Sequence, residues 1–331
     1  MVLQPELFEE PPGWVLAEHF VAPCAPPYRL DLTVAVLRRT PLNPVDTLAT
    51  DGRYLRAFAD PAGAGPWVCV VRQPSDTNTL QIALYHPAVA NGERQHPNKD
   101  LTERIPRRLG TGVDLSDFYG VASKVPEIAS LVVQARGVKP PRYPSLWEAL
   151  CNAVVFQQVS LEAAMATMRR VIAHCSASLT FADVQLYPFP SPTQLLETDP
   201  TVLRSLGLSA AKVQTLREVA GLLVDGHLMP EDLEEMPTAD AMSRLILLRG
   251  IGPWTAAVVM LRGFGRLDVF PAGDSGALRN LRGLLGAGAG QDPDGAAILA
   301  ALGPWRGMLY YHLLLWRLSR RGLVSLAANG L

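Results

Sequence analysis

One carboxylate stands where it could act on a bound substrate. Asp274 ends the loop 267–274 and precedes a segment with helical patterning that begins at Ser275. At that position it is a good N-cap, and its side chain would accept hydrogen bonds from backbone N–H groups and stay ionised. A structural cap and an electrostatic catalyst are compatible interpretations, because both need the carboxylate. Asp268 in the same loop is the competing carboxylate, for which we favour a loop-shaping role.

A tight turn between two apolar helices is predicted in LILLRGIGPWTAAVVM at 245–260. Gly250 and Gly252 permit the bend, and Pro253 begins the second helix with Thr255 in its first turn. The start of that helix presents unpaired N–H groups and the positive end of the helix dipole, which together suit a phosphate. The alternative is an ordinary helical corner in which the glycines only allow the bend.

The elements that must position these residues divide the chain in two. Alternating apolar residues at 30–36, with further strand patterns at 67–73 and 80–85, predict an antiparallel sheet. The polar stretch 86–100 is interpreted as a connection. We therefore predict an α+β fold, with an N-terminal antiparallel β-sheet domain in 1–105 and a predominantly α-helical domain in 106–331.

Capping chemistry marks the helices of the second domain. Helix starts are predicted at 145–148 and 191–194, which are capping boxes, and at the Asp-Pro pairs 199–200 and 292–293. Helix ends are predicted at Gly207, Gly226 and Gly263.

Composition restricts the class of protein. The chain has 331 residues, is 48% hydrophobic and 18% charged, and suits about two globular domains. No secretory leader and no apolar run of about 20 residues is found, so we expect a cytoplasmic protein without membrane contact. The four cysteines are far apart, which fits neither a zinc finger nor an iron–sulfur centre, and no metal site is predicted.

Charge is distributed unevenly along the chain. The formal net charge is −1, yet 241–331 holds ten arginines and four acidic residues. The basic segment 241–331 could therefore bind a polyanion.

The combined motifs resemble the helix-hairpin-helix (HhH-GPD) DNA glycosylase superfamily, closest to its DNA-3-methyladenine glycosylase II branch. The resemblance rests on LRGIGPWTA at 248–256 followed by DVFPAGD at 268–274. AVVFQQVS at 153–160, the segment 189–220 and PWRGMLYYHLL at 304–314 agree with it, and the likeness spans nearly the whole chain.

The resemblance implies that Asp274 is the catalytic carboxylate of a DNA glycosylase acting in base excision repair. Such an enzyme would bind double-stranded DNA, flip a damaged nucleotide out and hydrolyse its N-glycosidic bond. Alkylated purines such as 3-methyladenine and 7-methylguanine are the expected substrates. These bases are already cationic in the DNA and depart without a proton from the enzyme, so one carboxylate is enough to stabilise the positive sugar.

Further site residues follow from the same resemblance. Trp254 and Trp305 match tryptophans that line the base pocket, with core packing as the alternative. Gly250, Gly252 and Thr255 would bind DNA through the hairpin. Gln158 stands where relatives carry a wedge residue that fills the gap left by the flipped base; the alternative is that it satisfies a helix end. The remaining aromatic residues of note are interpreted as core: Trp147, Trp316, Tyr310, Tyr311 and His312.

Lysine use predicts a monofunctional enzyme. Bifunctional members carry their Schiff-base lysine where Trp254 stands here, and the last lysine of the chain is Lys212. We therefore expect no AP-lyase activity. We also expect a monomer and no cofactor, apart from a monovalent cation that hairpin backbone carbonyls could hold.

Two other functions stay open from the sequence. One is a non-catalytic DNA-binding or damage-sensing protein, in which a carboxylate facing the DNA would only cost affinity. The other is a glycosylase for oxidised or deaminated bases. Val258 stands where some members place a tyrosine, which leaves the base range open.

Overall fold

A five-stranded antiparallel sheet forms the N-terminal layer of the protein. The computed structural model describes residues 8–59, 65–75, 77–88, 96–97, 99–286 and 295–326. The strands are β1 (Trp14–Pro23), β2 (Thr47–Leu48), β3 (Tyr54–Phe58), β4 (Trp67–Arg72) and β5 (Thr79–Pro87), in the spatial order β1-β5-β4-β3-β2. The strands predicted at 67–73 and 80–85 are confirmed as β4 and β5.

The strand predicted at 30–36 is wrong, because this segment is a helix, α1 (Leu30–Arg38). Leu30 and Val34 pack against the sheet, whereas Leu32 and Val36 pack against the helical part of the protein. A helix covered on two opposite sides buries all four residues, and the resulting alternation looks like that of a half-buried strand.

The rest of the described chain is mainly helical, as predicted. Its helices are α2 (Lys99–Arg108), α3 (Ser116–Ala122), α4 (Pro126–Gln134), α5 (Leu146–Val155), α6 (Leu161–Cys175), α7 (Pro192–Glu197), α8 (Pro200–Ser205), α9 (Ala210–Val224), α10 (Pro230–Glu235), α11 (Thr238–Ile246), α12 (Pro253–Arg262), α13 (Ser275–Leu284), α14 (Gly295–Leu302) and α15 (Arg306–Arg320). A small hairpin of β6 (Leu179–Phe181) and β7 (Val184–Leu186) packs Phe181 against the sheet. The predicted boundary at 105/106 falls within α2 and stays a prediction. No helix of the described residues is long and apolar enough to cross a bilayer.

Most of the predicted caps are confirmed. Ser191 and Gln194 form a reciprocal capping box at α7, and Asp199 caps α8. Gly207 and Gly226 follow the ends of α8 and α9, and Gly263 is the C-cap of α12. The predicted start at 292–293 and most of the connection 86–100 lie outside the described residues.

The predicted capping box at 145–148 is only half formed. The Ser145 hydroxyl accepts from the backbone N–H of Glu148, but the Glu148 carboxylate accepts from the guanidinium of Arg56 on β3. Arg56 and Arg108 also donate to Asp46, at 2.9 and 2.6 Å. The Glu148 carboxylate does not complete the capping box, because the buried cluster between the sheet and α5 supplies charged partners for it.

Candidate active site

The hairpin between α11 and α12 has the geometry expected of an anion-binding turn. Gly250 has a φ of +78°, and a Cβ there would lie 2.1 Å from the Thr215 hydroxyl oxygen on α9, so only glycine fits. Gly252 is the N-cap of α12 and provides no side-chain cap, while Pro253 follows at the first helical position. The N–H groups of the first turn of α12 therefore lack a capping side chain.

Gln157 connects this hairpin to the loop after α5. Its side-chain amide donates to the Gly250 carbonyl at 2.9 Å and to the Thr255 hydroxyl at 2.8 Å. Thr255 is only 2% exposed and its hydroxyl is engaged within the hairpin, while its role in DNA binding stays a prediction. On the other side, the Lys212 ammonium donates to the carbonyls of Val155 and Gln157, both at 2.9 Å.

Gln158 is exposed and stands in a left-handed conformation with a φ of +55°. This conformation is uncommon for a residue other than glycine and is often found at functional sites. The bonds of Gln157 and Lys212 fix the backbone on its N-terminal side. Gln157 thus satisfies neighbouring backbone and hydroxyl groups, whereas Gln158 projects at the rim of a cavity.

Asp274 joins two elements of the site through its two carboxylate oxygens. Oδ1 accepts from the backbone N–H of Ala277 at 2.8 Å and so caps α13. Oδ2 accepts from the indole Nε1–H of Trp254 on α12 at 3.0 Å. The carboxylate is therefore held in one orientation by donors from two helices, while remaining partly exposed.

A cavity of about 860 Å³ collects most of these groups. Asp274, Trp254 and Gln158 line it, beside Gly250 and Gly252 of the hairpin. Further lining residues come from the end of α1, from α5 and the loop after it, and from α12, α13 and α15; they include Arg39, Asn152, Phe156, Val258, Asn280 and Tyr310. This volume is ample for a nucleoside.

The cavity has a positive rim. Arg279, Arg317 and Arg321 lie along it on α13, on α15 and just after α15. Glu162, at the start of α6, accepts from Arg317 at 2.8 Å and also from Arg321. Partial burial lowers the pKa of Arg317, although Glu162 opposes this shift. Arginines at least partly exposed beside a cavity suit a strand of phosphates.

The part of the sequence that forms most of this site matches a known protein family. A family model described as HhH-GPD superfamily base excision DNA repair protein matches residues 151–301, which include the hairpin and Asp274. This match relates residues 151–301 to the HhH-GPD superfamily.

Two relatives illustrate the extent of the likeness. A DNA-3-methyladenine glycosylase of Bacillus subtilis (strain 168) is 29% identical over 246 residues, which cover 74% of this chain and 80% of the relative. A solved 3-methyladenine DNA-glycosylase from Archaeoglobus fulgidus has a TM-score of 0.71 and 21% identity, covering 90% of this chain and 98% of that chain. The likeness in fold therefore extends over both layers of the protein.

A second solved structure is that of a glycosylase/lyase with a different named substrate. The 8-oxoguanine glycosylase/lyase of Clostridium acetobutylicum, in complex with double-stranded DNA, has a TM-score of 0.66 and 14% identity. It covers 89% of this chain and 93% of that chain. At this identity the likeness concerns the fold alone.

Trp305 and Tyr310 are placed differently from what the sequence suggested. Trp305 is not among the residues that line the cavity; it ends a short 3₁₀ turn (Gly303–Trp305) before α15 and packs against the core around that helix. Tyr310, interpreted as core, packs against the core around α15 and also lines the cavity. Burial raises the pKa of Tyr310, Arg39 opposes this shift, and Asp274 adds to it. The charges of Arg39 and Asp274 therefore both act electrostatically on the Tyr310 hydroxyl.

The other aromatic assignments hold. Trp147 is buried, and its Nε1–H donates to the Pro190 carbonyl at 2.8 Å. Tyr311 is buried and its hydroxyl donates to Leu261 at 3.1 Å, while Trp316 packs against the core around α15. Burial lowers the pKa of His312 to about 4, as suits a neutral core imidazole.

The competing carboxylate, Asp268, lies away from the cavity. Asp268 is exposed and is not among the lining residues, so it does not compete with Asp274. None of the described residues that line the cavity is a lysine. Within the described ranges, no group of three or more His, Cys, Asp or Glu side chains is placed to hold a metal ion.

Proposed function

We propose that this protein is a monofunctional DNA glycosylase of base excision repair that removes alkylated purines such as 3-methyladenine and 7-methylguanine. The observation that carries the proposal is the carboxylate of Asp274, fixed by Ala277 and Trp254 at the wall of a cavity of nucleoside size. The name of the Bacillus subtilis relative supports the choice of substrate.

The reaction needs stabilisation of a positive sugar. As the bond between the base and C1′ breaks, an oxocarbenium-like sugar forms, and the Asp274 carboxylate would stabilise its charge and orient water. Preorganised groups of this kind contribute on the order of 3 kcal/mol. An alkylated purine cation departs as a neutral base, so the site needs no general acid.

DNA would be held from two sides of the cavity. The free N–H groups at the start of α12, beside Gly250 and Gly252, would bind a phosphate of the damaged strand. Gln158 would fill the gap that the flipped nucleotide leaves, since it is exposed at the cavity rim in a fixed backbone conformation. Trp254 would bound the base pocket while its Nε1–H orients Asp274.

The proposal includes the absence of AP-lyase activity. Trp254 stands where bifunctional members carry a lysine, and the Lys212 ammonium is used to hold the end of α5. No described cavity residue offers an amine for a Schiff base. We expect no strand nicking after base release and no covalent product with borohydride.

A monovalent cation at the hairpin, a monomeric state and a cytoplasmic location also belong to the proposal. The Leu248 carbonyl accepts from Ile251 and the Gly250 carbonyl accepts from Gln157. Each carbonyl oxygen keeps a second lone pair, so the turn fits such an ion. No step of the reaction is assigned to it.

The decisive experiment measures release of free bases from methylated double-stranded DNA. We expect the protein to release 3-methyladenine and 7-methylguanine, and Asp274→Asn to release almost none while still binding abasic DNA. Binding without release by the wild-type protein would instead indicate a damage sensor. Release of oxidised bases with no release of alkylated ones would indicate a glycosylase for that other class.

A further inference from the structure

The loop between α5 and α6 presents Gln158 in a conformation that needs outside support. Its φ is +55°, and its side chain forms no hydrogen bond with any described residue. A left-handed conformation in a residue other than glycine persists only where the surroundings enforce it. The groups that hold Gln158 at the cavity rim must therefore belong to its neighbours in the loop 156–160, named the wedge loop, and to the elements that contact this loop.

Lys212 on α9 supplies most of that support. Its ammonium donates to the carbonyls of Val155 and Gln157, both at 2.9 Å, one on each side of the first residue of the wedge loop. Burial lowers the pKa of Lys212, and no carboxylate among the described residues pairs with it to oppose the shift. Because removing water from an ammonium is unfavourable, the two carbonyl contacts compensate for its partial burial.

The same face of α9 also supports the hairpin. Thr215 lies three residues after Lys212, so the two side chains are neighbours on one side of the helix. Gly250 of the hairpin packs so closely on Thr215 that a Cβ at Gly250 would lie 2.1 Å from the hydroxyl oxygen. One helix therefore sets the positions of both the wedge loop and the turn that is expected to bind phosphate.

Gln157 joins these two supported elements directly. Its carbonyl accepts from Lys212, and its side-chain amide donates to the Gly250 carbonyl and to the Thr255 hydroxyl. The wedge loop, the hairpin and α9 thus form a closed set of contacts beside the cavity. A duplex that the hairpin holds by its phosphate would meet Gln158 at a fixed distance.

We propose that Lys212 is a positioning residue for base flipping, whose ammonium holds the wedge loop so that Gln158 enters the duplex while the hairpin binds the strand. This inference rests on the proposed function and extends it to a residue that is not among those lining the cavity. A loop that is already ordered does not lose conformational freedom when DNA binds. Filling the gap then offsets part of the energy of unstacking the flipped nucleotide.

The alternative is that Lys212 only satisfies carbonyls at the end of α5, as basic side chains near helix C-termini often do. The two interpretations differ in what the loss of Lys212 changes. A purely structural contact affects stability alone, whereas a positioning contact affects recognition of a gap in the duplex and acts through Gln158.

The test measures binding to two duplexes at one salt concentration, one undamaged and one with a single tetrahydrofuran abasic site. The specificity ratio is the Kd for the undamaged duplex divided by the Kd for the abasic duplex. Gln158 can fill a gap only in the abasic duplex, whereas the hairpin and the basic rim act on both. We expect this ratio to fall about 5- to 30-fold in Lys212→Met, the range for loss of one or two hydrogen bonds. Lys212→Arg keeps a charged donor and should lie between.

A double variant shows whether Lys212 acts through Gln158. Gln158→Gly removes the wedge side chain and keeps the left-handed backbone, which glycine tolerates, so it should itself lower the ratio. Adding Lys212→Met to Gln158→Gly should lower the ratio no further. Additive losses in the double variant, a wild-type ratio in Gln158→Gly, or a wild-type ratio in both Lys212 variants would each overturn the proposal.

Lys139→Met is the matched control. The Lys139 ammonium also donates to a backbone carbonyl, that of Val113 at 2.8 Å, but Lys139 is not among the residues lining the cavity. Its replacement should leave the specificity ratio as in the wild type, even where thermal unfolding shows lower stability. A fall in the ratio equal to that of Lys212→Met would show an effect of stability alone and refute the positioning role.

These binding measurements do not depend on base excision. If no alkylated base is released but Lys212 and Gln158 are coupled in the specificity ratio, the glycosylase function fails and the role of Lys212 stands. In an active glycosylase, single-turnover release of 7-methylguanine should fall in Lys212→Met but not further when this change is added to Gln158→Gly. An active enzyme without the coupling refutes the role of Lys212 and leaves the glycosylase function intact.

Discussion

Replacing Asp274 by asparagine separates its structural role from its electrostatic role. Asparagine keeps a side-chain oxygen that can accept from the Ala277 N–H, and the two residues are equally good N-caps. Its amide N–H groups cannot accept from the Trp254 indole, so the 3.0 Å hydrogen bond is lost. Alanine at the same position loses both bonds.

The two variants should therefore differ in stability but not in activity. Loss of the indole bond costs about 1–2 kcal/mol in Asp274→Asn, since the site is partly exposed. Asp274→Ala loses about 1 kcal/mol more with the cap. Both variants lose the carboxylate charge. This loss removes on the order of 3 kcal/mol of transition-state stabilisation and lowers the rate about 150-fold.

Two measurements check this prediction. Single-turnover excision of 7-methylguanine gives the rate, and thermal unfolding gives the stability. Each kcal/mol of lost stability should lower the melting temperature by about 2–4 °C. Affinity for abasic DNA should be at least that of the wild type, because a negative charge facing the backbone has been removed. An Asp274→Asn rate above about a tenth of wild type, or rates that follow the melting temperatures, would refute the assignment.

Three other changes test the framework of the site. Gly250→Ala should lower the free energy of unfolding by about 1–3 kcal/mol, because its Cβ has no room, whereas Gly252→Ala, which has space, should cost about 0.5 kcal/mol or less. Glu148→Gln should cost about 3 kcal/mol in urea unfolding, because Arg56 loses a buried partner. The pKa of His312 is about 4 when folded and about 6.5 when unfolded, so acid protonates the unfolded state first. Stability should fall by about 3 kcal/mol between pH 6.5 and 4, and His312→Gln should flatten this slope.

Local sequence patterns determined the elements that hold the chemistry. The two glycines and Pro253 predict the turn and the start of α12, because glycine tolerates a positive φ and proline favours the first helical position. Asp274 was likewise predicted as an N-cap, and its side chain accepts from the backbone three residues on. The capping box at Ser191 followed from the same local rule.

Tertiary structure decided what each side chain meets at the cavity. Alternating apolar residues could not distinguish α1 from a strand, because the two layers that cover the helix are formed by distant parts of the chain. Arg39, Tyr310 and the bond from Trp254 to Asp274 were likewise not predicted, since each depends on elements far apart in sequence. Hydrogen bonding within one turn is a local property of the chain, whereas burial and charge pairing depend on which distant surfaces pack together.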